Sequence, residues 1–174
     1  MQKRILMIKR DFKTINNHKV FEVAENEGDY KFSGFEELFR NEERHFWFII
    51  RKEIIKKYMN KYVAKTAKII DIGAGTGNVT RFLMQDGYEN IAVGEMHLNA
   101  LDYAKSYGIS NRFCFNLLDS PFEDEFDCVC AFDVIEHIED DRLAIENICK
   151  SVLDNSKANK VWEGGKYNYH CPSL

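Results

Sequence analysis

Hydrophobic and polar positions change rhythm twice along the chain. Over residues 1–34 short apolar runs mix irregularly with charges, which reads as an irregular lead-in. From Phe35 to Tyr62 the spacing turns helical, in two pieces. Ile50, Ile54, Tyr58 and Tyr62 recur at intervals of four, with Ile55 and Met59 alongside, and make one apolar stripe. From Lys68 onward short apolar runs alternate with helical ones. Lys68–Ile72, Ile91–Val93, Arg112–Asn116 and Phe126–Phe132 are strand candidates. Between and after them, Asn78–Gln85, His97–Tyr107 and Arg142–Leu153 are helix candidates, the first two stopped by Asp86-Gly87 and Gly108.

Strand and helix in this order predict an α/β fold of the Rossmann-like, doubly wound kind, with a mainly parallel sheet and an N-terminal helical extension. The chain divides accordingly into a lead-in and helical extension (1–64), an α/β domain (65–153) and an atypical tail (154–174). The tail lacks a strand pattern, so the C-terminal strands of such a sheet are expected to be missing. Codons for Lys166–Cys171 read one base later encode Asn or Ser, then Ile or Thr repeatedly, then Val or Ala. That strand-like composition is what a shifted reading frame would leave behind.

Composition changes this picture little. Hydrophobic residues are 45% and charged residues 30% of the chain, ordinary for a globular protein. No apolar run approaches the ~18 residues of a membrane helix, and the apolar part of the N-terminus is too short for a signal peptide. A cytoplasmic location is the default expectation. Cys114, Cys128, Cys130 and Cys149 read as small buried hydrophobes, with no C-x-x-C pair for metal or redox chemistry. Residues 1–70 carry a net charge of +6 and the remainder −10, but the basic residues are spread along helix faces. Nothing there indicates a nucleic-acid partner.

The chemistry gathers where the strands end, which is where a parallel sheet places its ligand. Asp71-Ile72-Gly73-Ala74-Gly75-Thr76-Gly77 joins a strand to a helix. Glycine there lets the backbone bend sharply and approach a ligand, while the helix start offers free N–H groups. The spacing departs from the dinucleotide pattern: the third glycine comes one residue early, and Asn78 stands where that pattern needs glycine. An acid two residues before the first glycine suits a cationic group, so a nucleoside joined to an amino acid fits better than a pyrophosphate. Glu95, at the end of the second strand, is placed to accept from ribose hydroxyls; a surface glutamate opening a helix is the plainer alternative. Met96 suits either an adenine face or the core. Asp119 follows the third strand, where its carboxylate meets an adenine amino group and the N–H of neighbouring Leu118 a ring nitrogen; turn formation before Ser120-Pro121 explains it equally simply. Asp133, Glu136 and His137 follow the fourth strand. His137 and Asp133 are candidate catalytic groups, with helix capping the competing role. No metal site is expected.

These motifs together resemble the class I S-adenosylmethionine-dependent methyltransferases. Asp71–Gly77 is similar to the first family motif, Val93–Met96 to the ribose-binding acidic motif, Asp119 to the adenine-side acid, and Phe126–His137 to the fourth-strand region. Glu43–Arg51 resembles a helical lead-in of a bacterial small-molecule subgroup. The resemblance implies that Asp71, Gly73, Gly75 and Gly77 hold the methionine moiety, Glu95 and Met96 the adenosine sugar and base, and Leu118 and Asp119 the adenine. It implies S-adenosyl-L-methionine as cofactor and a small-molecule methyl acceptor, attacked in line. Phe46, Trp47 and Phe48 are candidates to close over the sulfonium, with core packing expected for at least two of them. A catalytically silent cofactor-binding remnant and a nicotinamide-dependent oxidoreductase are the alternatives.

Overall fold

The computed structural model describes residues 11–21, 32–153, 161–162 and 168–169. Its elements are β1 (Lys13–Ile15), β2 (His18–Val20), α1 (Phe32–Asn41), α2 (Phe46–Tyr62), β3 (Ile69–Ile72), α3 (Asn78–Gln85), β4 (Ile91–Glu95), α4 (Leu98–Ser106), β5 (Arg112–Cys114), β6 (Cys128–Cys130) and α5 (Asp141–Ser151). Two single 3₁₀ turns, Leu117–Asp119 and Ile135–His137, follow β5 and β6.

The strands form one six-stranded sheet in the order β1-β2-β5-β4-β3-β6, parallel except for the β1–β2 pair. β3 and β4 are buried along their whole length, as central parallel strands must be when helices cover both faces. Alternation along β3 divides the core. Ile70 and Ile72 join Phe115, Phe122, Phe126 and Ile148 on the α5 side, whereas Ile69 joins Ile55, Met59, Leu83 and Ile91 under α2 and α3. A third cluster, Val93, Leu101, Ala104 and Ile109, seats α4.

Local chemistry sets the helix ends. His45 Nδ1 accepts the N–H of Trp47 at the start of α2, and the Asp140 carboxylate accepts that of Leu143 at the start of α5. Gly87 and Gly108, at φ 96° and 80°, turn the chain out of α3 and α4.

Three sequence expectations need correction. First, the lead-in is not irregular throughout: β1 and β2 form a hairpin whose second strand runs parallel to β5. Asn16 and Asn17, at φ 50° and 66°, make its tight turn. Buried His18 fixes it in place, with Nε2 2.9 Å from Asp102 of α4 and Nδ1 accepting from Arg112 Nε at 3.1 Å. Second, core packing does not hold for Phe46 and Trp47, and the α2 stripe is split, with only its Ile55 and Met59 side facing the core. Ile50, Ile54, Tyr58 and Tyr62 are exposed, as are Phe46 and Trp47, while Lys52, Ile55 and Met59 are buried. Third, Cys114, Cys128 and Cys130 are free, but Cys149 is disulfide-bonded.

At the other edge, β6 pairs only with β3 among the described residues. Within the tail, Val161–Trp162 and Asn168–Tyr169 pair antiparallel with each other as a separate two-stranded sheet, whose Val161–Trp162 strand lies beside β6. The rest of the tail, including most of the Lys166–Cys171 stretch, lies outside the described residues. No helix among the described residues is long and apolar enough to cross a membrane.

Candidate functional site

The site is assembled at the C-terminal ends of β3, β4, β5 and β6. Asp71 occupies the third position of β3 and is 2% exposed. Its Oδ2 accepts from Thr80 Oγ1 at 2.8 Å. Burial pushes the carboxyl up to about 7, opposed by the Thr80 hydrogen bond and the Arg51 charge and aided by the Glu95 charge. An acid kept this dry is costly to ionise unless a cation comes to it.

The bend that follows is left-handed at Gly73, Gly75 and Gly77. Gly77 is required twice over: a Cβ there would stand 2.8 Å from Ile109 Cδ1 and 3.1 Å from Ala104 Cβ, so its absence lets the turn seat on α4. At Gly75 the nearest atoms would be Leu38 Cδ2 at 3.7 Å and Phe35 Cε1 at 4.0 Å, ordinary contacts. Conformation rather than crowding therefore demands glycine at that point, and α1 lies over it.

Glu95 closes the same corner from β4. Its Oε2 accepts the N–H of Gly75 at 3.0 Å, and its Oε1 lies 2.8 Å from Met96 N, 3.2 Å from His97 N and 3.0 Å from His97 Nδ1. The glycine bend and the second-strand acid, separated by about a turn and a helix in sequence, are thus directly bonded. Met96 is half-buried, and its carbonyl accepts from Cys114 Sγ at 3.5 Å. In the turn after β5, Asn116 Oδ1 accepts the Leu118 N–H at 2.9 Å and the Asn116 carbonyl accepts the Asp119 N–H at 3.0 Å. Leu118 is half-buried and the Asp119 residue is exposed.

The two expected catalytic groups are not brought into contact. Asp133, at φ 57°, is ion-paired to Arg51 of α2, whose Nη2 also donates to the Phe132 carbonyl at 3.2 Å. His137 is exposed in the 3₁₀ turn beyond, its backbone N–H held by the Val134 carbonyl. Among the described residues no group of three or more His, Cys, Asp or Glu is arranged to hold a metal ion.

Four residues that the sequence pattern does not single out complete the arrangement. Thr80, one turn into α3, bonds Asp71; Arg51 ties α2 to the end of β6; His97 backs Glu95. Glu42 is 3% exposed, with both carboxylate oxygens 2.7 Å from Thr76 Oγ1 and Oε1 accepting from Tyr107 at 3.0 Å. Burial raises its pKa. Only Thr80 carries a readable signal, since a hydroxyl three residues past the last glycine faces back along the helix axis toward the strand end.

Comparison with known proteins places this geometry. The profile of the family described as a methyltransferase domain matches residues 70–157, half of the chain. The ubiquinone biosynthesis O-methyltransferase of Rickettsia akari is 28% identical over 116 residues, covering 64% of this chain and 45% of that protein. The alpha N-terminal protein methyltransferase 1 of Dictyostelium discoideum is 31% identical over 99 residues, covering 53% and 36%. The chain therefore spans less than half the length of these curated relatives. Among solved structures, an S-adenosyl-L-methionine-dependent methyltransferase assigned in Methanococcus maripaludis superposes with a TM-score of 0.69 at 19% identity, over 83% of this chain and 68% of that one. The [4+2]-cyclase SpnF superposes with a TM-score of 0.55 at 18% identity, over 63% and 44%. At those identities the structures speak for the fold, which the cyclase shows can serve other chemistry. On the profile match, with the fold in agreement, the chain belongs to the methyltransferase-domain family, whose expected cofactor is S-adenosyl-L-methionine.

Proposed function

We propose that the chain binds S-adenosyl-L-methionine at the ends of β3, β4 and β5 and passes its methyl group to a small-molecule acceptor. The observation carrying this reading is Asp71. Its carboxyl sits dry at the bend, held up at about 7 by burial, and Arg51, whose charge acts against that rise, is committed to Asp133 and the Phe132 carbonyl. An amino-acid ammonium answers that need; a pyrophosphate does not. The residues present fit the cofactor on a second count: His97 Nε2 is buried without a partner beside the acid assigned to the sugar.

On this reading Asp71 takes the ammonium, Gly73, Gly75 and Gly77 let the backbone approach the methionine moiety, and Glu95 accepts from the ribose. Met96 packs on the adenine, while Leu118 and Asp119 border its polar edge. Both turn N–H groups there are already bonded to Asn116, so a side-chain contact from Asp119 is the better-supported part of that assignment. When bound, the cofactor supplies an electrophilic methyl group on sulfur. The protein's part is alignment and exclusion of water, because charge disperses in such a transfer. His137 takes the acceptor's proton, and Asp133, paired to Arg51, helps position the exit of β6.

Similarity to proteins named as O-methyltransferases supports a hydroxyl-bearing small molecule as acceptor, with protein N-termini the competing class. Calorimetric titration with S-adenosylhomocysteine and with NAD tests cofactor choice, and labelled methyl transfer to small phenols and to N-terminal peptides tests the acceptor. Binding of NAD in preference to S-adenosylhomocysteine sinks the reading. Binding without transfer to either acceptor class assigns the chain to cofactor binding alone.

A further inference from the structure

A cavity of about 330 Å³ opens between α2 and α3, away from the strand ends. On α3 its wall is Asn78, Arg81, Phe82 and Gln85, the i, i+3, i+4 and i+7 positions of one helix face. Thr80, which bonds Asp71, lies on the face turned to the sheet. Ile49, Lys52 and Glu53 close the cavity from α2. Its volume stands at the small end of the range for ligand sites, roughly 300–1,000 Å³.

The charges around it are unequally committed. Glu43 is ion-paired to Arg81 at 2.6 Å and also accepts from Asn78 Nδ2 at 3.3 Å. Arg81 is further held over the Tyr107 ring at 4.5 Å. Glu53 is ion-paired to Lys56 at 2.6 Å. Lys52 is left over: its ammonium stands 5.5 Å from the Phe82 ring centroid and, among the described residues, has no hydrogen bond or ion pair. The residue is 8% exposed, and a lysine so buried ordinarily has a carboxylate partner. Glu42 does not serve. The Lys52 charge favours its ionised form, but its hydrogen bonds come from Thr76 and Tyr107. Nor is the ammonium sealed in, because among the described residues the fully buried side-chain nitrogen or oxygen without a partner is His97 Nε2. Lys52 lines the cavity, so its remaining open surface faces that space.

We propose that this cavity is a second binding site, for a small organic monocarboxylate whose charge meets the Lys52 ammonium and whose apolar body lies against Ile49 and Phe82. Exposed Ile49 and half-buried Phe82 supply the apolar wall. A single ammonium is a point charge without the forked donors that suit phosphate, and a second negative charge would face Glu43 and Glu53.

The probe is phenylacetate, with phenylacetamide as its neutral counterpart and inorganic phosphate as a more highly charged anion. Calorimetry on the full chain is expected to show phenylacetate binding about tenfold more tightly than either. Lys52→Met, which keeps the length of the stem, is expected to lose about tenfold in phenylacetate affinity. Saturating S-adenosylhomocysteine is expected not to displace the probe. No binding of phenylacetate, no preference over phenylacetamide, undiminished binding in Lys52→Met, or displacement by S-adenosylhomocysteine overturns the proposal. A preference for phosphate overturns the ligand class with it. Should Lys52→Met not fold by thermal melting, isotope-filtered NMR on the wild-type chain decides. Contacts from phenylacetate to the Phe82 ring and the Ile49 methyl groups support the site, and their absence overturns it.

Discussion

Asp71 links cofactor affinity to pH in a direction that can be worked out. Its folded pKa of about 7 lies above the ordinary 3.8. Between those values the folded chain binds a proton that the unfolded chain has released, so stability is fully present below pH 3.8 and declines as pH rises through about 7. The gap of about three units corresponds to ~4 kcal/mol once the group is ionised. Ligand binding runs the other way. A cationic ligand selects the ionised carboxylate, so below pH 7 it must first displace a proton, and apparent affinity falls about tenfold per unit. From pH 7.5 to 5.5 the drop is about twentyfold. Asp71→Asn removes both effects: it raises stability at pH 8 while weakening binding, and it flattens the affinity profile. Arg51→Ala, which removes a charge that lowers the Asp71 pKa, moves the midpoint of the profile upward. Titration with S-adenosylhomocysteine across this range, in buffers of differing ionisation heat to count released protons, measures all of it. A flat profile in the wild-type chain, or the same slope in Asp71→Asn, refutes the reasoning.

Two further substitutions probe the packing. Gly77→Ala drives a Cβ to 2.8 Å from Ile109 Cδ1 at φ 81° and is expected to destabilise by about 1–3 kcal/mol, read as a lowered urea midpoint. Ile55→Ala should cost about 2–5 kcal/mol, whereas Ile54→Lys, one residue away but 46% exposed, should fall within about 0.5 kcal/mol. Equal losses at both positions would place the α2 stripe against something that covers it.

The strand–helix alternation from Ile69 to Ser151 was legible because each turn there carries its own punctuation: Gly73–Gly77, Asp86-Gly87 and Gly108 mark the ends of elements regardless of what packs on them. The hairpin at Lys13–Val20 was not read, although Asn16-Asn17 is a turn signal, because three-residue strands leave no alternation to count. The stripe on α2 shows a different limit. Its period is helical, as expected, but periodicity defines a face without naming what the face meets, and the buried side holds Lys52 with Ile55 and Met59. Asp71 and Glu95 were readable because strand ends are fixed by local pattern. Glu42 and Arg51 were not, since their partners lie 34 and 82 residues away and only folding brings them near.

The His18 anchor carries an implication for assembly order. Arg112 reaches back 94 residues to it, whereas neighbouring strands β3 and β4 are joined by a single short helix. Closing so wide a chain segment is entropically slower than zipping the adjacent βαβ units, so the hairpin docks after β5 exists and detaches first under stress. Pulsed deuterium labelling should accordingly find the Phe21 amide, bonded to the Cys114 carbonyl, protected later in refolding than the Val93 amide, and the reverse sequence would contradict this order.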